Sequence, residues 1–171
     1  MASFASSYIP TTTASATRAA DSLTVTGVTG LDYPLSLYAE WESAVDTAAS
    51  RGVFWAGVSD SNRTYLRLAS NRTVRAVMTA GGAEQGAENP GVTTAVGSVY
   101  KQAGRSNTDD IKAAISGTLS AGDTTATKPS APTKFCFGNI EVGTEPFYGY
   151  LRRAAIFSRA LSDAELQALT T

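Results

Sequence analysis

Apolar positions begin to alternate with polar ones at Leu23, and the alternation recurs in short runs along the chain. In the run from Leu35 to Trp41, Leu35, Leu37, Ala39 and Trp41 fall on one side, with Ser36 and Tyr38 on the other. That is the period of a strand with one buried face. Gly52 to Val58 is apolar on both sides and predicts an inner strand, with Trp55, like Trp41, expected in the core. Thr64 to Leu68 sets Leu66 and Leu68 inward and Tyr65 and Arg67 outward. Thr73 to Thr79 alternates Val74, Ala76 and Met78 against Arg75 and Val77. The tetrapeptide Ser-Asn-Arg-Thr stands before both runs, at 61–64 and 70–73. Each copy predicts a hairpin turn with asparagine in a left-handed position. Further strands are predicted at 92–101, 111–115, 135–140 and 149–157, and loops at 80–91, 103–110 and 116–133.

One helix is predicted, at the C-terminus. Ser162-Asp-Ala-Glu165 is a capping box, and Leu161 and Leu166 occupy the positions of a hydrophobic staple. The helix is too short to stand alone, so Leu166 and Leu169 are expected to pack on the sheets. About ten short strands separated by turn signals predict an all-β, antiparallel β-sandwich over residues 23–171. Residues 1–22, whose large apolar groups are Phe4, Tyr8 and Ile9, predict an extended N-terminal arm that docks on a sheet or on a neighbouring subunit.

Composition then removes several chemistries. The 171 residues carry a net charge of −1, and 17% of them are charged. There is no basic footprint for a phosphate backbone, so nucleic acid is not an expected partner. No apolar run approaches the ~20 residues of a membrane span. The chain has no histidine, which excludes Ser-His-Asp and Cys-His catalysis and histidine metal sites. Its one cysteine, Cys136, forms no intrachain disulfide and is expected as a small buried apolar residue.

The segments Phe135-Cys-Phe-Gly-Asn-Ile140 and Pro146-Phe-Tyr-Gly-Tyr-Leu-Arg-Arg-Ala-Ala-Ile-Phe-Ser-Arg-Ala-Leu-Ser-Asp-Ala-Glu-Leu-Gln-Ala-Leu169 carry a resemblance. They resemble the closing motif of concanavalin A-like lectin/glucanase domains, the laminin-G-like group. The stretch from Ser7 to Asp21 is similar to one that precedes such domains in phage tail and virion proteins. The resemblance implies a jelly-roll sandwich and a sugar-binding or adhesion role on a phage virion, outside the cell. Host-surface glycans, other virion proteins and further copies of the chain are its implied partners. The competing reading is a purely structural capsid or tail decoration subunit that binds no glycan.

Glucanases of this fold carry an E-x-D-x-(x)-E run, and the chain has none. The nearest, Glu40-Trp41-Glu42, is read as one solvated glutamate and one at a strand end, with carboxylates on opposite faces of a strand or to one side only if it bends. A non-enzymatic module is therefore expected. Sugars are gripped by aromatic faces and planar polar groups, and the outward candidates are Tyr65, Arg67, Arg75 and Tyr100. Calcium is a secondary expectation: Asp60 with Asn62, and Asp109 with Asp110, place hard oxygens in loops, although turn formation explains both.

Overall fold

The computed structural model describes residues 23–46, 49–140 and 145–171. These form two antiparallel sheets. In chain order the strands are β1 (Leu23–Thr26), β2 (Leu35–Ser43), β3 (Arg51–Ser59), β4 (Asn62–Leu68), β5 (Val74–Ala80) and β6 (Ala83–Glu88). They continue as β7 (Val99–Asn107), β8 (Asp110–Ile115), β9 (Thr118–Leu119), β10 (Lys134–Phe137) and β11 (Gly149–Phe157), and a single helix α1 (Asp163–Thr170) follows. One sheet has the order β1-β10-β3-β4-β5-β6 and the other β11-β2-β7-β8-β9. The predicted jelly-roll sandwich is the observed architecture. The arm at 1–22 lies outside the described residues.

The inter-sheet core is made by the inward sets of the period-2 strands. Leu37, Ala39 and Trp41 of β2 meet Phe54, Leu66, Leu68, Val74 and Ala76 of the facing sheet. Phe54 stacks on Phe137 with ring centroids 4.7 Å apart. β3 is buried along most of its length, as its unbroken apolar run requires.

Several predicted loop and strand assignments differ: the loop at 116–133 holds the two-residue β9, and the strand at 135–140 ends at Phe137. The segment 80–91 contains β6, which pairs with β5. An edge strand is held by backbone bonds on one side only, so it needs no apolar alternation and gives no signal. Gly81 and Gly82 both have positive φ, 58° and 83°, and close the β5–β6 hairpin in two residues. Residues 92–98 are not a strand beyond one bridge from Thr93 to Thr73; the strand starts at Val99. The predicted turn at 103–110 is mostly β7 and the start of β8, with the chain reversing at 108–109. Gly104 there is not a turn residue. A Cβ on it would come within 2.6 Å of the Ala76 Cβ from the facing sheet, so the glycine permits close approach of the layers. In the 70–73 turn the left-handed residue is Arg72, φ 62°, rather than asparagine. Asn71 instead accepts from the Thr73 N–H and hydroxyl through its side-chain oxygen.

α1 lies on the outer face of the five-stranded sheet. Leu161 and Leu166 pack there with Tyr38, Ala103 and Ala114, and Leu169 packs beside them. The capping box is formed as predicted. β2 was expected to have one buried face, but the helix covers much of the second. Ser36 is buried, donating from Oγ to the Arg159 carbonyl at 2.9 Å and accepting from the Leu161 N–H at 3.0 Å.

Candidate glycan site on the six-stranded sheet

β4 and β5 position the site. Thr64, Leu66 and Leu68 face inward, so Arg63, Tyr65 and Arg67 must face out. On β5, Val74, Ala76 and Met78 face inward and Arg75 and Val77 out. The register sets Arg67 directly opposite Arg75. Like charges at such a position repel and destabilise the pairing. Arg67 donates from Nη2 to Glu145 Oε1 at 3.2 Å. Among the described residues Arg75 has no carboxylate partner, and the Nε atoms of both arginines lack an acceptor. The Arg75 carbonyl is fixed from below by Gln102 Nε2 at 3.0 Å, and Gln102 Oε1 in turn accepts from Trp41 Nε1 at 3.1 Å. The core thus holds β5 in place under the arginine pair. Above the pair opens a cavity of about 210 Å³, walled by Ser50, Ser70 and Asn71 with Ala69 at its floor edge. Hydroxyls, an amide and two guanidiniums suit a polyol bearing an anionic group.

Of the four predicted site residues, the structure brings Arg67 and Arg75 together and removes the other two. Tyr65 does face outward, but it is only 4% exposed. The outer face carries its own small cluster of Trp55, Tyr65, Val77, Cys136 and Ile140. The Arg63 guanidinium lies over the Tyr65 ring at 4.7 Å, and Lys134 Nζ lies 5.8 Å from the Trp55 ring. Burial pushes the Tyr65 phenol above its ordinary pKa, against the opposing pull of Arg67 and Arg63. Trp55 is therefore buried as expected, though on the far side of the sheet from the main core. Tyr100 belongs to the other sheet. Its ring tilts against Trp41 at 5.4 Å, and its hydroxyl accepts from the Ala95 N–H at 2.8 Å. It seals one end of the sandwich and cannot join the arginine pair.

Among the described residues the exposed aromatics are Tyr148, at 45%, and Tyr150, at 65%. Sequence reasoning passed over both because they sit inside the closing motif, where the strand explained them. The available signal was the Tyr-Gly-Tyr spacing beside Glu145, which supplies the Arg67 counter-charge.

The carboxylates at 40 and 42 do not aim apart. Residues i and i+2 of a strand share a face, and both lie on the outer side of β2, over the sheet opposite the arginine pair. Glu42 Oε2 is 2.6 Å from Arg152 Nη2, and Glu40 Oε2 is 3.7 Å from Arg153 Nε. Each is matched by a guanidinium. The calcium loops are similarly occupied: Asp60 pairs with Arg63, and Asp110 Oδ1 accepts from Arg105 Nε at 2.8 Å. No cluster of three acidic or sulfur ligands forms among the described residues.

A family model described as the concanavalin A-like lectin/glucanases superfamily matches residues 11–167. Among curated proteins none matches the chain. Solved structures share the fold at low identity. The carbohydrate-binding module CBM40 of the Ruminococcus gnavus IT-sialidase, bound to alpha2,3 sialyllactose, is 18% identical with a TM-score of 0.65, covering 87% of this chain and 98% of that one. A native heptameric SAP-like pentraxin from Limulus polyphemus is 12% identical with a TM-score of 0.64, covering 91% and 84%. Trypanosoma rangeli sialidase is 14% identical with a TM-score of 0.62, covering 81% of this chain but only 22% of the larger one.

Proposed function

The chain belongs to the concanavalin A-like lectin/glucanase superfamily, and from its geometry we propose a non-catalytic module that binds acidic glycans in the Arg67–Arg75 cavity. The observation that carries this reading is the arginine pair itself. Two guanidiniums stand opposite each other on β4 and β5 with a single carboxylate partner, on Arg67, beneath an open cavity edged by hydroxyls and an amide. A sugar carboxylate or sulfate would supply the missing charge, and Ser50, Ser70 and Asn71 would meet ring hydroxyls. The sialyllactose complex of a fold neighbour supports the ligand class. Two observations favour binding without cleavage. Most glycoside hydrolysis needs two carboxyl groups flanking one bond, and sialidases use a tyrosine nucleophile instead. Among the described residues neither a carboxylate nor a tyrosine lines the cavity; Glu145 is engaged by Arg67, and Glu40 and Glu42 lie over the other sheet.

The setting we propose is a phage virion, with the module displayed toward host-surface glycans. It rests on the similarity of residues 7–21 to stretches that precede such domains in tail and virion proteins. The heptameric pentraxin neighbour fits a homo-oligomeric display.

Calorimetric titration with sialyllactose and with lactose tests the reading. Sialyllactose should bind, lactose should bind much more weakly, and both should be recovered intact. Arg75→Gln should cost about 2 kcal/mol of sialyllactose affinity through a lost charged contact. Equal affinity of wild type and Arg75→Gln would move the site elsewhere, and cleaved sugar would overturn the non-catalytic assignment.

A further inference from the structure

Beside the arginine cavity lies a tight cleft, too narrow to admit a water molecule, lined by Arg72 and Tyr148 and sharing Ala69 with the cavity. Tyr148 keeps 45% of its surface exposed although the Arg51 guanidinium sits over its ring at 4.9 Å. Arg72 is clamped by Asp46 at Nη1, 3.0 Å, and by the Thr94 carbonyl at Nε, 2.7 Å, while its Nη2 has no acceptor. The same short segment serves both hollows. Glu145 at its start holds Arg67, and the Glu145 carbonyl accepts from the Gly52 N–H at 2.9 Å. Three residues on, the Tyr148 carbonyl accepts from the Ala44 N–H at 2.9 Å. The backbone on both sides of the aromatic ring is therefore tied to the sheets, and Ala69 borders both the ring's cleft and the arginine cavity. An exposed tyrosine ring is a stacking surface for the apolar face of a sugar.

We infer that the module reads at least two consecutive sugar residues, the acidic one between Arg67 and Arg75 and its neighbour across Ala69 against Tyr148. This inference rests on the assignment of the arginine cavity as the glycan site. It makes Tyr148 the residue that sets ligand length, while Arg75 sets ligand charge.

The test titrates the full chain with free N-acetylneuraminic acid and with sialyllactose, for wild type, Tyr148→Ala, Tyr148→Leu and Arg75→Gln. Wild type should bind the trisaccharide about tenfold more tightly than the monosaccharide. Both Tyr148 variants should lose that increment and keep monosaccharide affinity within about twofold, with unchanged near-UV circular dichroism. Arg75→Gln should weaken both ligands. Equal wild-type affinity for the two sugars, or a trisaccharide increment that survives in Tyr148→Leu, would overturn the second subsite while leaving the arginine cavity standing. A parallel loss of both ligands in the Tyr148 variants would likewise refute a length-reading role. Failure of either sugar to bind wild type, or indifference to Arg75→Gln, would overturn the underlying assignment and the inference with it.

Discussion

Arg67 and Arg75 are held at a register where their charges oppose, and Glu145 relieves only one of them. The free protein therefore carries a local strain that an anionic ligand removes. Glu145→Gln should lower stability by roughly 0.5 kcal/mol, the scale of a half-exposed ion pair, and should tighten binding of an acidic sugar by leaving both guanidiniums to it. Arg75→Gln should do the reverse, holding or slightly raising the melting midpoint while weakening sugar binding by about 2 kcal/mol. Denaturant titration paired with calorimetry checks both, and a stability loss in Arg75→Gln would mean that the pair is not strained. The outward placement of these arginines was legible in the alternation of β4 and β5. The fate of Tyr65 was not, because the cations over it and over Trp55 come from Arg63 and from Lys134, a residue far along the chain. Period-2 patterning tells which face a side chain leaves by, not what lies across it afterwards.

The C-terminal helix shows how a weak element is fixed by its surroundings. Eight residues cannot hold a helix in water. Leu161 and Leu166 anchor it, and Asp163 ties its first turn to the sheet through Lys112 Nζ at 2.8 Å and Arg105 Nη1 at 2.6 Å. Leu166→Ala should cost about 2–5 kcal/mol by emptying a packed site, and Ser162→Ala about 1 kcal/mol by orphaning the Glu165 amide; thermal melts rank the two. Acid should release the same element. The hydrogen bonds from Arg159 and from Ser162 hold the Glu165 carboxyl down to about 2, and Lys112, then Arg105, lower Asp163. Carboxyls lowered in the folded state stabilise it above their unfolded values near about 4 and lose that contribution as pH falls through the folded ones. Helix docking should therefore weaken from about pH 4 toward pH 2, seen as a change in the Tyr38 environment by near-UV circular dichroism. An unchanged spectrum at pH 2 would show that the leucines alone suffice. Every residue of this element was readable in advance because capping and stapling are local. β6 was not, because an edge strand of Ala, Glu, Gln and Gly is specified by its neighbour's backbone.

Across the whole molecule, the spacing of the two sheets depends on glycines at points of close approach. Gly104 on β7 sits against Ala76 of β5, immediately behind Arg75. Gly104→Ala should cost about 1–3 kcal/mol, because the added methyl must push strand against strand in a close-packed interior. It should also loosen the arginine register and weaken sugar binding. An unperturbed melting temperature in this variant would mean that the layers are free to slide. From sequence the glycine read as a turn, since the close approach it permits involves a residue on another sheet.

The two tryptophans are separated by the six-stranded sheet, and that division has an optical consequence. Trp41 is sealed between the sheets with its indole N–H bonded to Gln102. Trp55 lies on the other side, next to Tyr65 in the β3–β4 register and near the Lys134 ammonium. Indole emission responds to nearby charge. An anionic sugar arriving at Arg67 and Arg75 should therefore shift the emission of Trp55 and leave that of Trp41 unchanged, while global unfolding moves both. Trp55→Phe should erase the binding signal and keep the unfolding signal, so that one protein carries separate fluorescent reporters of occupancy and of integrity.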